Sequence, residues 1–280
     1  MRNARSLTGV AVLLVMLFAG AAHGTIVVLN DLNSEARFDT GSKKGLFSWV
    51  VDGCGCDNEI ASRQWFWYRV GDTGPETAIN LLDQIFITPE GSRDGNFNPG
   101  DDDFTVSFAD PGGDFTINLR FTLAGSTLGS GLSTLVETIT ITNTSEDDLD
   151  FHFFQYVDLD LNHEPTTDTV TMLADNKVLQ TDGITSVVET VITPASDHRS
   201  VALDPDILVL LEDGLATTLD DATGPISGDV TWGFQWDFLI EPNGSAQISK
   251  IKSMIPEPAT LALLGAVGLP ALMRRRRRQG

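Results

Sequence analysis

Large apolar side chains recur at every second position through much of this chain. In one stretch Trp232, Phe234, Trp236, Phe238 and Ile240 share a phase, while Thr231, Gly233, Gln235 and Asp237 hold the other. Phe115, Ile117, Leu119 and Phe121 alternate in the same way with Thr116, Asn118, Arg120 and Thr122. Side chains on a strand point to opposite faces in turn, so each pattern predicts a strand with one buried face. Shorter runs predict strands at 26–29, 46–51, 65–70, 85–88, 104–108, 135–142, 151–161, 169–173, 177–181, 186–193, 207–211 and 246–252. Turn-forming pieces separate them, among them Asp110-Pro111-Gly112-Gly113, Ala124-Gly125-Ser126 and Glu241-Pro242-Asn243-Gly244. Helical signals are confined to 75–83, with Pro75 near the start, and a fainter one at 215–221. Many strands with almost no amphipathic helix predict an all-β fold, an antiparallel β-sandwich. No internal repeat or Pro/Ser-rich linker divides residues 25–253, which favours one domain over two packed sandwiches. Trp65, Phe66, Trp67 and Tyr68 follow one another, so both faces of that strand are aromatic. Core on both sides is the expected use, although exposed rings of this kind also stack on sugars.

The two ends differ from this body. Arg2 and Arg5 precede an apolar segment, Val10 to Ala22, and Gly20, Ala22 and Gly24 are small residues suited to cleavage. Residues 1–24 therefore read as a secretory signal peptide, which makes signal peptidase the first expected partner. Export leads to an oxidising compartment, where the only two cysteines, Cys54 and Cys56, are expected to pair locally. A bridge across two residues closes a tiny, strained ring, so an intermolecular link or free thiols stand as alternatives.

At the other end, Pro256-Glu257-Pro258 is followed by an Ala, Leu and Gly-rich stretch and then by Arg274, Arg275, Arg276, Arg277 and Arg278. As a helix, the 15 residues from Ala259 to Met273 would rise about 22 Å, short of the roughly 30 Å hydrocarbon core. The arginine cluster orients such a segment with its basic end in the cytoplasm, which leaves the body outside. Residues 255–280, within a C-terminal segment read as 254–280, resemble the PEP-CTERM sorting signal of Gram-negative bacteria, whose three parts occur here in the same order. Pro270, near the end of the apolar stretch, is the one departure. The resemblance implies recognition by the membrane protease-transferase exosortase and cutting near Pro-Glu-Pro. It further implies a transient inner-membrane intermediate, then periplasm, cell surface or extracellular matrix, and an association with exopolysaccharide and biofilm. It says nothing about the chemistry of the body.

Charge narrows the partners. Seven of the 18 basic residues lie at the two ends, against one of the 39 acidic residues. The stretch from Thr25 to Met254 thus holds 11 positive and 38 negative charges, about −27. Such a field excludes nucleic acid and anionic lipid as partners and attracts cations, Ca²⁺ above all. Two acidic clusters offer oxygen ligands. In the first, Asp94, Asn96 and Asn98 match the opening ligand positions of an EF-hand and Asp101 follows, but Pro99 stands where glycine is required and Thr105 where glutamate is. In the second, Asp158, Asp160 and Asn162 fall at alternate positions, on one face if the strand continues that far. For each, a calcium site competes with the simpler reading of a solvated acidic segment.

Catalytic motifs are missing. The chain has no Gly-x-Ser-x-Gly elbow, no His-Glu-x-x-His and no phosphate-binding glycine loop. After the signal only His152, His163 and His198 remain, each read as an ordinary surface or core residue. The expectation is thus a non-enzymatic matrix component that binds extracellular polysaccharide. The alternative is a secreted carbohydrate-active enzyme on a β-sandwich.

Overall fold

In a computed structural model, the structure describes residues 25–54, 60, 63–91, 101–163 and 165–256. The signal segment, Cys56, Asp94, Asn96, Asn98, Glu257, Pro258, the apolar stretch and Arg274–Arg278 lie outside the described residues. No helix among the described residues is long and apolar enough to cross a membrane.

The all-β expectation holds: two large sheets lie face to face. In the first sheet, β1 (Ile26–Asp31), β2 (Ser34–Asp39), β3 (Gly45–Val51) and β4 (Arg63–Val70) run in order from one edge, and the short β5 (Thr77–Ala78) pairs with β4. The second sheet begins at its own edge with β6 (Asp83–Gly91), then β7 (Asp103–Ala109), β8 (Phe115–Ala124) and β9 (Ser133–Asn143). The chain returns to the first sheet with β10 (Leu149–Asp158), which lies beside β4. It then builds the rest of the second with β11 (Asp168–Ala174), β12 (Lys177–Thr181) and β13 (Thr185–Thr193). β14 (His198–Leu203) forms the far edge of the first sheet, and an α-helix, α1 (Asp206–Glu212), follows. β15 (Ile226–Gly228) edges the second sheet, β16 (Val230–Ile240) fills the gap between β10 and β14, and β17 (Ser245–Pro256) fills that between β13 and β9. Among the described residues every pairing is antiparallel except a short parallel contact of β3 with β4.

Three local expectations are corrected. Residues 207–211 form α1 rather than a strand, with Ile207 and Leu211 buried one turn apart. Residues 75–83 hold β5 and a single 3-10 turn, Ile79–Leu81, instead of a helix. Residues 215–221 are not helical: Leu219 N donates to Gln235 Oε1 (3.0 Å) and Thr217 N to Glu76 Oε1 (2.8 Å), so distant side chains satisfy that backbone. The last strand also runs past the expected end of the body: Met254 is buried and Pro256 is paired with Thr185.

Aromatic side chains join the sheets. Phe38 of β2 meets Phe104 and Phe121 of β7 and β8 at 4.9 and 4.6 Å, and Phe151 of β10 meets Phe115 of β8 at 5.0 Å. Trp65, Phe66 and Trp67 are all buried, as a strand covered on both faces requires.

The interior between the sheets also holds four charges. Lys250 and Lys252 on β17 lie between Glu137 on β9 and Glu189 on β13, all at most 1 % exposed. Lys250 Nζ is 3.1 Å from Glu189 Oε1, and Lys252 Nζ is 3.4 Å from Glu189 Oε2 and 3.5 Å from Glu137 Oε1. The facing sheet adds donors: Gln64 Nε2 to Glu137 Oε2 (2.8 Å), Gln155 Nε2 to Glu189 Oε1 (2.8 Å) and Trp232 Nε1 to Glu189 Oε2 (3.0 Å). Burial alone would raise the Glu189 carboxyl, but Lys250 and Lys252 outweigh it and hold it below the usual range.

Candidate functional site

The first sheet carries polar chemistry on its outer face. Along β10, Phe151, Phe153 and Gln155 point to the second sheet, so Asp150, His152, Phe154, Tyr156 and Asp158 point away from it. This outer face is not bare. α1 and the segment 213–222 lie over it, seated where Gly233 has no side chain: a Cβ there would stand 3.3 Å from Leu219 Cδ1 and 3.5 Å from Ile207 Cγ2. Arg69 fastens the cover, donating to Thr217 O (2.9 Å) and pairing with the buried Glu76.

At one end of the row stands His152. The β10–β16 register sets Asp237 directly opposite it, and Nδ1 lies 2.6 Å from Asp237 Oδ1. Asp237 is itself held: Gln235 Nε2 donates to the same oxygen (2.8 Å), and the Asp237 amide donates to Asp197 Oδ2 (2.8 Å). A neutral imidazole that donates Nδ1–H to a carboxylate presents Nε2 as its lone-pair nitrogen. That Nε2 is buried and makes no hydrogen bond. It faces Asp150 Oδ1 at 3.6 Å and Asp72 Oδ1 at 4.0 Å. Their side chains are 45 % and 91 % exposed, so two solvent-facing carboxylates stand in front of a buried, oriented histidine. The three groups could hold a metal ion or relay a proton.

Beside this centre opens a cleft of about 340 Å³, within the range of small-molecule sites. Tyr68 and Phe115 wall it, 5.1 Å apart and edge to face, and Asp110 and Asp114 supply carboxylates. Burial, and then the charge of Asp110, push the Tyr68 hydroxyl up to about 12, so it stays protonated and able to donate. The turn after β4 belongs to both features: Val70, Thr73 and Gly74 line the cleft, while Asp72 reaches His152. Gly71 and Gly74 take φ of +76° and +96° in that turn, with open space where a side chain would stand, so glycine serves the backbone conformation there.

The far end of the row is acidic. Asp158 and Asp160 come together as the sequence suggests, but with Asp229 as third member. Asn162 follows past the strand: β10 ends at Asp158, Asn162 adopts left-handed backbone angles, and its Nδ2 donates to Asp182. Burial, with the charges of Asp160, Asp204 and Asp229, pushes Asp158 up to about 7. In the other acidic segment Asp101 is exposed, and its carbonyl accepts from Asn30 N (2.9 Å). Cys54 is buried and disulfide-bonded. Sequence reasoning misses Asp72, Asp150, Asp229 and Asp237, and it takes His152 for an ordinary residue. The usable signal is the polar phase of "LDFHFFQYVD", which sets Asp150, His152, Tyr156 and Asp158 at even spacing on a strand otherwise apolar.

The architecture is one used by carbohydrate-active enzymes. A bacterial glucoamylase solved with acarbose superposes with a TM-score of 0.59 at 10% identity, over 89% of this chain and 35% of its own. A candidate aldose 1-epimerase of Escherichia coli K12 superposes with a TM-score of 0.51 at 10% identity, over 84% of this chain and the whole of its own. This chain thus spans about a third of the glucoamylase's length. No protein-family model matches the chain, and no curated protein matches it by sequence. The likeness is one of fold. It corrects the expectation of a non-enzymatic body, which rested on missing motifs: the fold is shared with carbohydrate-active enzymes, and the side chains gathered at His152 come from separate strands and a turn, where no linear motif would show them.

Proposed function

We propose that this protein is an exported carbohydrate-active enzyme that moves protons at the anomeric centre of a sugar, with Asp150 and Asp72 as the groups that touch substrate. The observation that carries this reading is the buried Nε2 of His152, oriented by Asp237 and facing both exposed carboxylates without a partner of its own. A sugar ring against Tyr68 and Phe115 would direct its anomeric carbon toward the turn that holds Asp72. One carboxylate then takes the proton of the anomeric hydroxyl while the other, protonated, gives its proton to the ring oxygen. The bond from anomeric carbon to ring oxygen breaks, the open-chain aldehyde rotates, and the reverse steps close the other anomer. The lone pair of His152 Nε2 accepts a hydrogen bond from whichever carboxyl group carries the proton, its gaps of 3.6 and 4.0 Å shortening as the site closes. The full-length superposition on a candidate aldose 1-epimerase supports this choice of reaction. Exchange between α and β anomers, followed by NMR across a panel of aldoses, tests it. Acceleration that Asp150→Asn abolishes supports the proposal. Absence of acceleration with every aldose, or release of reducing ends from a polysaccharide instead, contradicts it.

Export by signal peptidase and sorting by exosortase belong to the same proposal and place the substrate among sugars of the extracellular polysaccharide. β17 lies inside its sheet and is paired as far as Pro256, so cutting after that residue leaves every described strand intact. Mass spectrometry of the mature protein decides: a C-terminus beyond Met273 contradicts processing.

A further inference from the structure

The acidic end of the outer row lies apart from the His152 centre, six residues along β10 from it. Carboxylate oxygens of Asp158, Asp160 and Asp229 all lie within 4.8 Å of one another, although they come from the end of β10, the residues after it and the link into β16. The neighbourhood gains negative charge from Asp204, whose amide donates to Asp229 O (2.9 Å) and whose Oδ1 accepts from Tyr156 OH (2.8 Å). Arg63, opposite Asp158 on β4, opposes them with a positive charge. An acidic cluster alone would be ordinary for so acidic a protein. A second observation sets this one apart. Thr231 is fully buried, and its Oγ1 has no hydrogen-bond partner. Thr231 is the cross-strand partner of Asp158, on the same face of the antiparallel β10–β16 pair. Directly opposed side chains stand about 5 Å apart at Cβ, so the residue that carries this unpaired hydroxyl stands directly beside Asp158. A buried hydroxyl left without a partner is rare in a folded protein.

We propose that Asp158, Asp160, Asp229 and the Thr231 hydroxyl form a calcium site that ties the ends of β10 and β16 together. All the donors are oxygens, which suits a hard cation. Three carboxylates, each able to bind through one or both oxygens, with a hydroxyl and water reach the six to eight ligands Ca²⁺ takes at 2.3–2.6 Å. Mg²⁺ prefers strict octahedral geometry at shorter distances and is reluctant to lose water, so the donor set favours Ca²⁺. The proposal is independent of the sugar chemistry, which uses the other end of the row.

The test is thermal unfolding of the full chain after chelation and dialysis, with CaCl₂ or MgCl₂ added, alongside isothermal titration with CaCl₂. Calcium is expected to raise Tm saturably, by about 5–10 °C at a hundredfold excess over Kd, and to bind at one site with measurable heat. Asp160→Asn and Asp229→Asn, each partly exposed and tolerant of an isosteric amide, should remove both shift and heat. Thr231→Val, which removes only the hydroxyl, should weaken binding by about tenfold. Asp150→Asn should leave binding unchanged, which separates this cluster from the one at His152. No calcium shift in the unaltered protein would overturn the proposal. A shift retained in both Asp160→Asn and Asp229→Asn would overturn it equally, since calcium would then bind elsewhere.

Discussion

Changing Glu189 to Gln keeps the shape of the side chain and removes one of four interior charges. Glu189 accepts from Gln155 and Trp232 and faces Lys250 at 3.1 Å and Lys252 at 3.4 Å. At an effective dielectric of about 20, each of those attractions is worth roughly 5 kcal/mol. Against their loss stands the relief of no longer burying a carboxylate, several kcal/mol, together with weaker repulsion from Glu137. The variant is left with two lysines and one carboxylate, an uncompensated positive charge where the lysine side chains are 0 % exposed. The balance is a loss of about 3–5 kcal/mol, the cost usual for breaking a buried ion pair. In a domain of this size that lowers Tm by about 6–20 °C, read by calorimetry or by the midpoint of urea unfolding. Glu241→Gln, at an exposed turn, serves as control and should change stability by less than about 0.5 kcal/mol. The sign with pH follows from the same geometry. The Glu189 carboxyl is held below its unfolded value, so its contribution is complete above the usual glutamate range and disappears as pH falls through the lowered folded value. A folded Glu189→Gln protein that loses less than about 1 kcal/mol would refute the view that the four charges act as one neutral unit.

Three further outcomes follow. Asp158 and Asp168 are both pushed up to about 7, chiefly by burial, so the folded state holds their protons more tightly than the unfolded one; in the presence of chelator the midpoint of urea unfolding should be higher at pH 5.5 than at pH 8. Asp237→Asn removes the charge that orients His152, and kcat for anomer exchange should fall by about a hundredfold with KM and Tm little changed. Gly45 sits at φ +57° with the position of a Cβ 2.0 Å from Gln64 O and 2.2 Å from the Trp65 ring, so Gly45→Ala should cost about 3 kcal/mol or more, measured by thermal unfolding.

Most strands are readable because one buried face forces a period of two. The pattern at 177–181 predicts a strand with the boundaries the structure shows, and 232–240 forms most of β16. Where the pattern misleads, a competing force explains it. The run Ile207-Leu208-Val209-Leu210-Leu211 is too short for periodicity to separate a strand from a buried helix, and Pro205 just before it is the sign of a helix start. β2 and β14 escape the pattern because "SEARFD" and "HRSVAL" bury few apolar side chains, and their neighbours supply most of the order. Lys250 and Lys252 share the buried phase of β17 with Ile248 and Met254, as Glu137 shares that of β9 with Leu135 and Ile139. Charges in a core phase look like a broken pattern until a second strand brings the opposite sign. The same holds for the site: Asp158 and Asp160 are readable as neighbours in sequence, whereas Asp229, Asp237 and Asp72 reach their partners only through cross-strand register and a turn.

The central claim is that sugar chemistry occurs where the Tyr68 cleft meets the carboxylates in front of His152. A crystal structure of the Asp150→Asn protein soaked with an aldose tests it most directly. The account predicts a pyranose ring against Tyr68 and Phe115, with its anomeric carbon about 3–3.5 Å from the side chain of residue 150 or Asp72. Sugar bound at another surface, with the cleft empty and anomer exchange undiminished by that substitution, would contradict it.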